Sequence, residues 1–218
     1  MGRKCALAVA SAAAVFCALA AAFPLAVPAS FQEAYDLYKK GKYYDAEAVL
    51  VKEKEASPGS VDVYAVLGWC YLNTGRQKMA IDVSEEGLKL NSRDTRLIIT
   101  IGRAYFELKR YADAVIYLQK SIAMNPEYGW TYYYLGRIYL DQGKLTLAET
   151  ALSASIVFLN DKYIFYRYRG EVYEKMGNLK GAETDYKKAL ALNPNDPGLK
   201  QALIQVINKQ TEQESGLR

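Results

Sequence analysis

GWTYYYLGRIYLDQGKLTLAETALSASIVFLNDK, residues 129–162, runs without a gap into YIFYRYRGEVYEKMGNLKGAETDYKKALALNPND, residues 163–196. Laid one over the other, the two stretches match at Gly136/Gly170, Tyr139/Tyr173, Gly143/Gly177 and Ala148/Ala182. The same frame continues towards the amino terminus in windows of 34 residues that start at Thr95, Val61 and Val27. The eighth position then reads Ala34, Gly68, Gly102, Gly136 and Gly170, and the twentieth is Ala46, Ala80, Ala114, Ala148 and Ala182. The eleventh reads Leu37, Tyr71, Tyr105, Tyr139 and Tyr173. A fixed period of this length is the mark of a stacked array in which each unit buries its apolar face only against its neighbours.

The offsets have a physical meaning. Positions 4, 7, 8 and 11 follow the i, i+3, i+4, i+7 rule and form one stripe of a helix, as in Tyr64, Leu67, Gly68 and Tyr71 or Tyr132, Leu135, Gly136 and Tyr139. Small residues at positions 8 and 20 let two helices approach closely, and the large rings fill the space beside them. Glycine at position 15 (Gly41, Gly75, Gly143 and Gly177) ends the first helix and makes a tight turn, with Lys109 replacing it once. A second helix follows, carrying Leu118, Ile122 and Met124 or Leu152, Ile156 and Phe158. It stops at Asn125-Pro126 and Asn193-Pro194, because proline disfavours helical geometry in the residue before it.

This pattern resembles the tetratricopeptide repeat (TPR) family, exported bacterial type, from about residue 29 to residue 196. The resemblance implies an all-α solenoid of five helix-turn-helix repeats, at 30–60, 61–94, 95–128, 129–162 and 163–196. A capping helix is expected at 197–210, where Leu199, Ala202, Leu203, Val206 and Ile207 continue the apolar rhythm, followed by a frayed polar tail at 211–218. The first repeat departs most, with Ser30 and Glu33 at positions 4 and 7, so its first helix should be short. Arg169 replaces the usual leucine at position 7 and resembles a variant that pairs with an acid on the second helix, here Asp185.

Residues 1–29 are a different object. Met1-Gly2-Arg3-Lys4 is basic, Cys5 to Val27 is alanine-rich and uncharged, and small residues follow at Ala20-Ala21-Ala22 and Val27-Pro28-Ala29. That is a signal-peptide pattern, with an uncleaved amino-terminal anchor as the alternative. Phe16 before Cys17 argues against a lipoprotein. Either way the repeats are expected outside the cytoplasm, periplasmic or membrane-anchored. Cys5 and Cys17 belong to this leader, which leaves Cys70 alone in the repeats as a buried small hydrophobe and permits no internal disulfide there.

The chemistry inventory is short. With no histidine anywhere the usual general base and most zinc sites are missing, no phosphate loop is present, and neither cofactor, metal nor catalytic residue is expected. Removing Arg3 and Lys4 takes the net charge from +4 to +2, and basic residues are dispersed with acids rather than clustered, which argues against nucleic acid.

What remains is the surface of the first helices. The resemblance implies that positions 2, 5, 9 and 12 line a concave groove, with Tyr134 and Tyr168 at position 6 on its border. A solvated stripe should be polar, yet this one carries Phe31, Tyr35, Tyr38, Trp69, Leu72, Ile99, Phe106, Trp130, Tyr133, Tyr134, Leu140 and Tyr168. Arg96, Arg103, Arg137 and Arg167 share it. Exposed aromatic rows and arginines mark binding surfaces, although some rings could bury against neighbouring helices and the arginines could form ion pairs between repeats. The expected partner-binding residues are Tyr35, Trp69, Arg96, Ile99, Arg103, Phe106, Trp130, Tyr133, Tyr134, Arg137, Arg167 and Tyr168. The lysine and asparagine pairs with which some relatives clamp chaperone tails are absent. The expected function is a non-enzymatic adaptor for a segment of an envelope protein, with a membrane role only through an uncleaved leader. The alternatives are a glycan- or lipid-binding protein and a self-assembling structural module. The oligomeric state stays open.

Overall fold

A computed structural model describes residues 29–216; the signal-peptide or anchor expectation for residues 1–29 falls, save Ala29, outside the described residues. Among them are eleven helices and no strand. They form five hairpins: α1 (Ala29–Lys39) with α2 (Tyr43–Ala56), α3 (Val61–Asn73) with α4 (Gln77–Leu90), and α5 (Thr95–Glu107) with α6 (Tyr111–Met124). Then follow α7 (Gly129–Asp141) with α8 (Leu145–Phe158), α9 (Tyr163–Lys175) with α10 (Leu179–Leu192), and a last helix, α11 (Pro197–Ser215). From the second hairpin on, each first helix starts at the first residue of its 34-residue window. The five-repeat solenoid read from the periodicity is the fold.

The turn inside each hairpin shows why position 15 prefers glycine. Gly41, Gly75, Gly143 and Gly177 all sit at φ of 70° to 78°, the left-handed region. There the chain closes a helix-ending loop, as in Lys144 N–H donating to the Tyr139 carbonyl at 2.9 Å. Lys109 adopts the same conformation at φ 61° and is the sole non-glycine residue to do so among the described residues. Its loop closes identically, with Arg110 N–H on the Tyr105 carbonyl at 2.9 Å. The turn between repeats is made differently. Ser57, Asn91, Asn125, Leu159 and Asn193 leave helical geometry for φ between −133° and −153°, whether or not proline follows. Tyrosine at position 4 clasps that turn: Tyr64, Tyr132 and Tyr166 donate their hydroxyls to the carbonyls of Pro58, Pro126 and Asn160.

Packing follows the small residues. All five position-20 alanines are fully buried. A Cβ added to Gly136 would stand 2.6 Å from Leu152 Cγ, and one on Gly170 would stand 2.7 Å from the Tyr186 ring. Each second helix packs between its own first helix and the next one. Successive first helices also touch (α1 with α3, α3 with α5, α5 with α7, α7 with α9), whereas successive second helices make no comparable contact. The stack therefore curves with the first helices on its inner side.

Arg169 does pair with Asp185, in a two-pronged bond with Nε to Oδ2 at 2.7 Å and Nη2 to Oδ1 at 2.9 Å. Cys70 is buried, and burial pushes its thiol up to about 12, so it packs rather than reacts. One boundary moves. The polar segment 211–215, expected to fray, continues α11 to Ser215, ending where Gly216 N–H meets the Glu212 carbonyl. Glutamate and glutamine are good helix formers, and Lys209 ties this helix to Glu174 of α9 at 2.6 Å. Leu199 and Val206 bury it against the last repeat, while Ile207 stays on the rim. No helix of the described residues is long and apolar enough to cross a membrane.

Candidate functional site

The inner side of the stack is built from positions 2, 5, 6, 9 and 12 of α1, α3, α5, α7 and α9. Two chains of rings run along it. Phe31, Tyr35 and Tyr38 stack at 6.3 Å intervals on α1, and Tyr38 then tilts onto Trp69 of α3 at 5.6 Å. On the other side Phe106 meets Tyr134 at 5.8 Å, and Trp130 stands edge-on to Tyr133 at 5.5 Å and to Phe165 at 5.0 Å. Between the two chains lies a partly open hollow of about 320 Å³. Tyr38, Trp69 and Leu72 form one wall and Trp130 and Tyr134 the other. Ile99, Thr100 and Arg103 of α5 and Tyr128, just before α7, complete it. Four consecutive repeats thus contribute to one apolar cavity with a guanidinium in its wall.

Part of the aromatic row is buried against neighbouring helices, the alternative that the sequence left open for individual rings. Ile99, Phe106 and Tyr133 are each only 6% exposed, and Leu72 and Leu140 are buried too. The reason is the close side-by-side packing of the first helices. A ring at position 5 or 12 of one repeat is covered by positions 2, 3 and 6 of the next, as Tyr133 is by Phe165 and Tyr168 at 5.1 and 5.7 Å. Burial pushes the Tyr133 phenol up to about 12. Phe106 and Tyr133 are therefore core residues of the inner layer, while Ile99 still forms part of the hollow. Trp69, Trp130 and Tyr134 are half-buried at it, and burial pushes the Tyr134 phenol up.

The four arginines differ in their partners. Arg96 lies between Asp62 and Asp94, 2.7 Å from each, and Arg103 pairs with Glu107 at 2.7 Å on its own helix. Arg167 reaches Asp196 at 3.8 Å. Arg137 has no carboxylate within 4 Å among the described residues. Its guanidinium lies 3.9 Å from the Tyr168 ring centre and 5.1 Å from that of Phe106, and Nη1 donates to the Tyr133 hydroxyl at 2.9 Å. Of the twelve expected binding residues, Trp69, Ile99, Arg103, Trp130 and Tyr134 meet at the hollow. Phe106, Tyr133, Arg137 and Tyr168 form the adjoining cluster, with the Arg167 guanidinium at its edge 5.9 Å from the Tyr168 ring centre; Tyr35 stacks on Tyr38 beside the hollow, and Arg96 does not line it. Thr100 and Tyr128 were not foreseen. Thr100 stands at position 6 but is neither aromatic nor charged, the residue types by which the groove was read, and Tyr128 falls in the inter-repeat turn, where no helical stripe applies.

Nothing here assembles a nucleophile with a base, and no group of metal-ligating side chains occurs among the described residues. What the arrangement offers is an apolar cavity with charge beside it, suited to non-covalent recognition.

Comparison with known proteins supports the fold reading. Sequence profiles of the tetratricopeptide repeat match residues 163–196 and 117–150, and a profile described as anaphase-promoting complex, cyclosome, subunit 3 matches residues 39–121. Among solved structures, a thermophilic TPR protein of Thermus thermophilus is 21% identical with a TM-score of 0.72. That match covers 82% of this chain and 97% of the other. Pseudomonas aeruginosa pilF is 20% identical over 85% of each chain, with a TM-score of 0.71. YrrB, described as a TPR protein with an unusual peptide-binding site, is 20% identical over 79% of this chain and 89% of its own, with a TM-score of 0.54. No curated protein matches the chain. With five hairpins in one 34-residue frame, small residues at the interlocking positions and tetratricopeptide-repeat profiles matched at 117–150 and 163–196, the described residues form a tetratricopeptide-repeat-like helical stack.

Proposed function

We propose that this chain is an exported, non-enzymatic adaptor that holds an extended or helical segment of another envelope protein on its inner face. The observation that carries the reading is the hollow walled by Trp69 and Trp130. Its volume of about 320 Å³ lies at the lower end of the range for small-ligand pockets and suits one bulky side chain of a bound segment. Tryptophan, tyrosine and arginine around such a cavity are the residues that most often dominate binding energy. YrrB, with its peptide-binding site on the same fold, is consistent with this use. The basic start and alanine-rich run of residues 1–29 support export. A sugar or acyl chain could stack on the same rings, and the cavity's size admits a small one.

The test compares binding with stability. Trp69→Ala should weaken partner capture by about 2 kcal/mol, the usual scale for an interface anchor, while the melting temperature barely moves. Trp130→Ala is a less clean variant, because its ring also supports Phe165 and Tyr133. Unfolding of Trp69→Ala, or unaltered capture by a folded variant, would overturn the reading. Amino-terminal sequencing of the native protein should begin between Ala22 and Gln32, whereas a cytoplasmic pool with Met1 intact would refute export.

A further inference from the structure

The groove arginines are not equivalent, and the difference specifies what a bound segment must carry. Arg96, Arg103 and Arg167 each have a carboxylate within 4 Å. Arg137 has none among the described residues, although it is half-buried and its neighbours are aromatic rings. Nearby acids are already engaged. Asp141 accepts from the Tyr111 hydroxyl at 2.6 Å and from Lys109 Nζ at 3.2 Å, and Glu107 accepts from Arg103 at 2.7 Å and Gln77 at 3.2 Å. A guanidinium has five N–H donors. Arg137 makes a single hydrogen bond, to Tyr133, and its buried Nε has no acceptor. The rings of Tyr168 and Phe106 hold the planar group in place without neutralising it. A cation fixed in this way, partly removed from water and short of acceptors, is arranged for an anion supplied from outside.

We infer that Arg137 receives an acidic side chain of the bound segment, set a short distance from the apolar side chain that fills the hollow. The inference rests on the groove reading above and names the partner's chemistry. Arg137 follows Tyr134 by three residues and Trp130 by seven on α7, about 5–10 Å along the axis at 1.5 Å per residue. An extended segment advances about 3.3 Å per residue, so the acid should stand one to three residues from the apolar anchor.

A random dodecapeptide library displayed on phage and panned over the full chain tests this. Enriched peptides should pair a Trp, Phe, Tyr or Leu with an Asp or Glu at that spacing. For the best peptide, made synthetically, changing its acid to the amide should weaken binding about tenfold, the order expected for one charge-assisted hydrogen bond. Arg137→Gln should cause the same loss and abolish the difference between acid and amide, Arg137→Lys should retain part of that difference, and Arg167→Gln should leave it intact. If Arg137→Gln does not fold, the comparison of acid and amide on the unaltered chain and on Arg137→Lys decides. Enriched peptides without an acid, or an acid preference unmoved by changes at Arg137, would overturn the inference while leaving the groove reading standing. Peptides indifferent to Trp69→Ala, or no enrichment at all, would overturn both.

Discussion

Replacing Gly136 by alanine adds one methyl group at the closest approach of α7 and α8. The new Cβ would stand 2.6 Å from Leu152 Cγ, 3.0 Å from its Cδ2 and 3.3 Å from its backbone nitrogen. The branch point of the leucine and the backbone behind it cannot swing aside as the tip of a long side chain could, so the helices must part. Gly102 occupies the same position of the preceding repeat, but its Cβ would meet Leu118 Cδ2 at 3.2 Å and Cγ at 3.3 Å, with no backbone atom among its nearest neighbours. Both substitutions gain about 1 kcal/mol of intrinsic helix propensity, so that gain cancels in the comparison. Overpacking costs about 1–3 kcal/mol when the neighbours cannot yield. Gly136→Ala should therefore be less stable than Gly102→Ala by about 1–2 kcal/mol. In a chain of this size that separates the melting temperatures by roughly 3–6 °C. Thermal and urea denaturation of the two variants, followed by far-ultraviolet circular dichroism, measures it. Equal stability, or a more stable Gly136→Ala, would refute the claim that glycine at position 8 sets the approach of the helices.

Three further outcomes are expected. Gly143→Ala should cost about 1–2 kcal/mol through the left-handed backbone alone, since nothing lies within 4 Å of the added carbon; Lys109→Gly should cost nothing, because relief of that conformation offsets the loss of its exposed pair with Asp141, and denaturation of both checks this. Arg169→Leu strands a buried Asp185 and should cost about 3–5 kcal/mol, much of it recovered in the double variant Arg169→Leu, Asp185→Leu; no recovery on urea denaturation would mean the ion pair is not what the site requires. Cys70 should resist alkylation in the native chain and react on unfolding, as read by mass spectrometry of the labelled peptides, because its buried thiol ionises only near 12.

The fold was legible because it is written five times. Position 8, position 20 and the position-15 turn each report one local constraint, and a chance match does not recur in register. Arg169 with Asp185 was legible for the same reason: a charged residue in an apolar column needs a partner, and the second helix offered one. The groove was only half legible. Helical geometry places Phe106 and Tyr133 on the stripe that faces inward, but whether an inward ring meets solvent depends on how tightly successive first helices approach. That distance is a property of the stack and not of any single window. Tyr128 escaped because it enters the hollow from a turn. The tyrosines at position 4 had a second role, clasping the inter-repeat turn through their hydroxyls, which an apolar stripe cannot reveal.

The proposed function requires that partners seat in the hollow between Trp69 and Trp130. Placing a photo-crosslinking benzoyl-phenylalanine at Tyr38, in the wall of that hollow, tests it when compared with the same probe at Val157, which is 78% exposed on α8. Irradiated in cells that make the protein natively, the Tyr38 probe should give a discrete adduct with another protein, lost on Trp69→Ala and absent from the Val157 probe. Adducts from Val157 with none from Tyr38, or a Tyr38 adduct indifferent to Trp69→Ala, would contradict it.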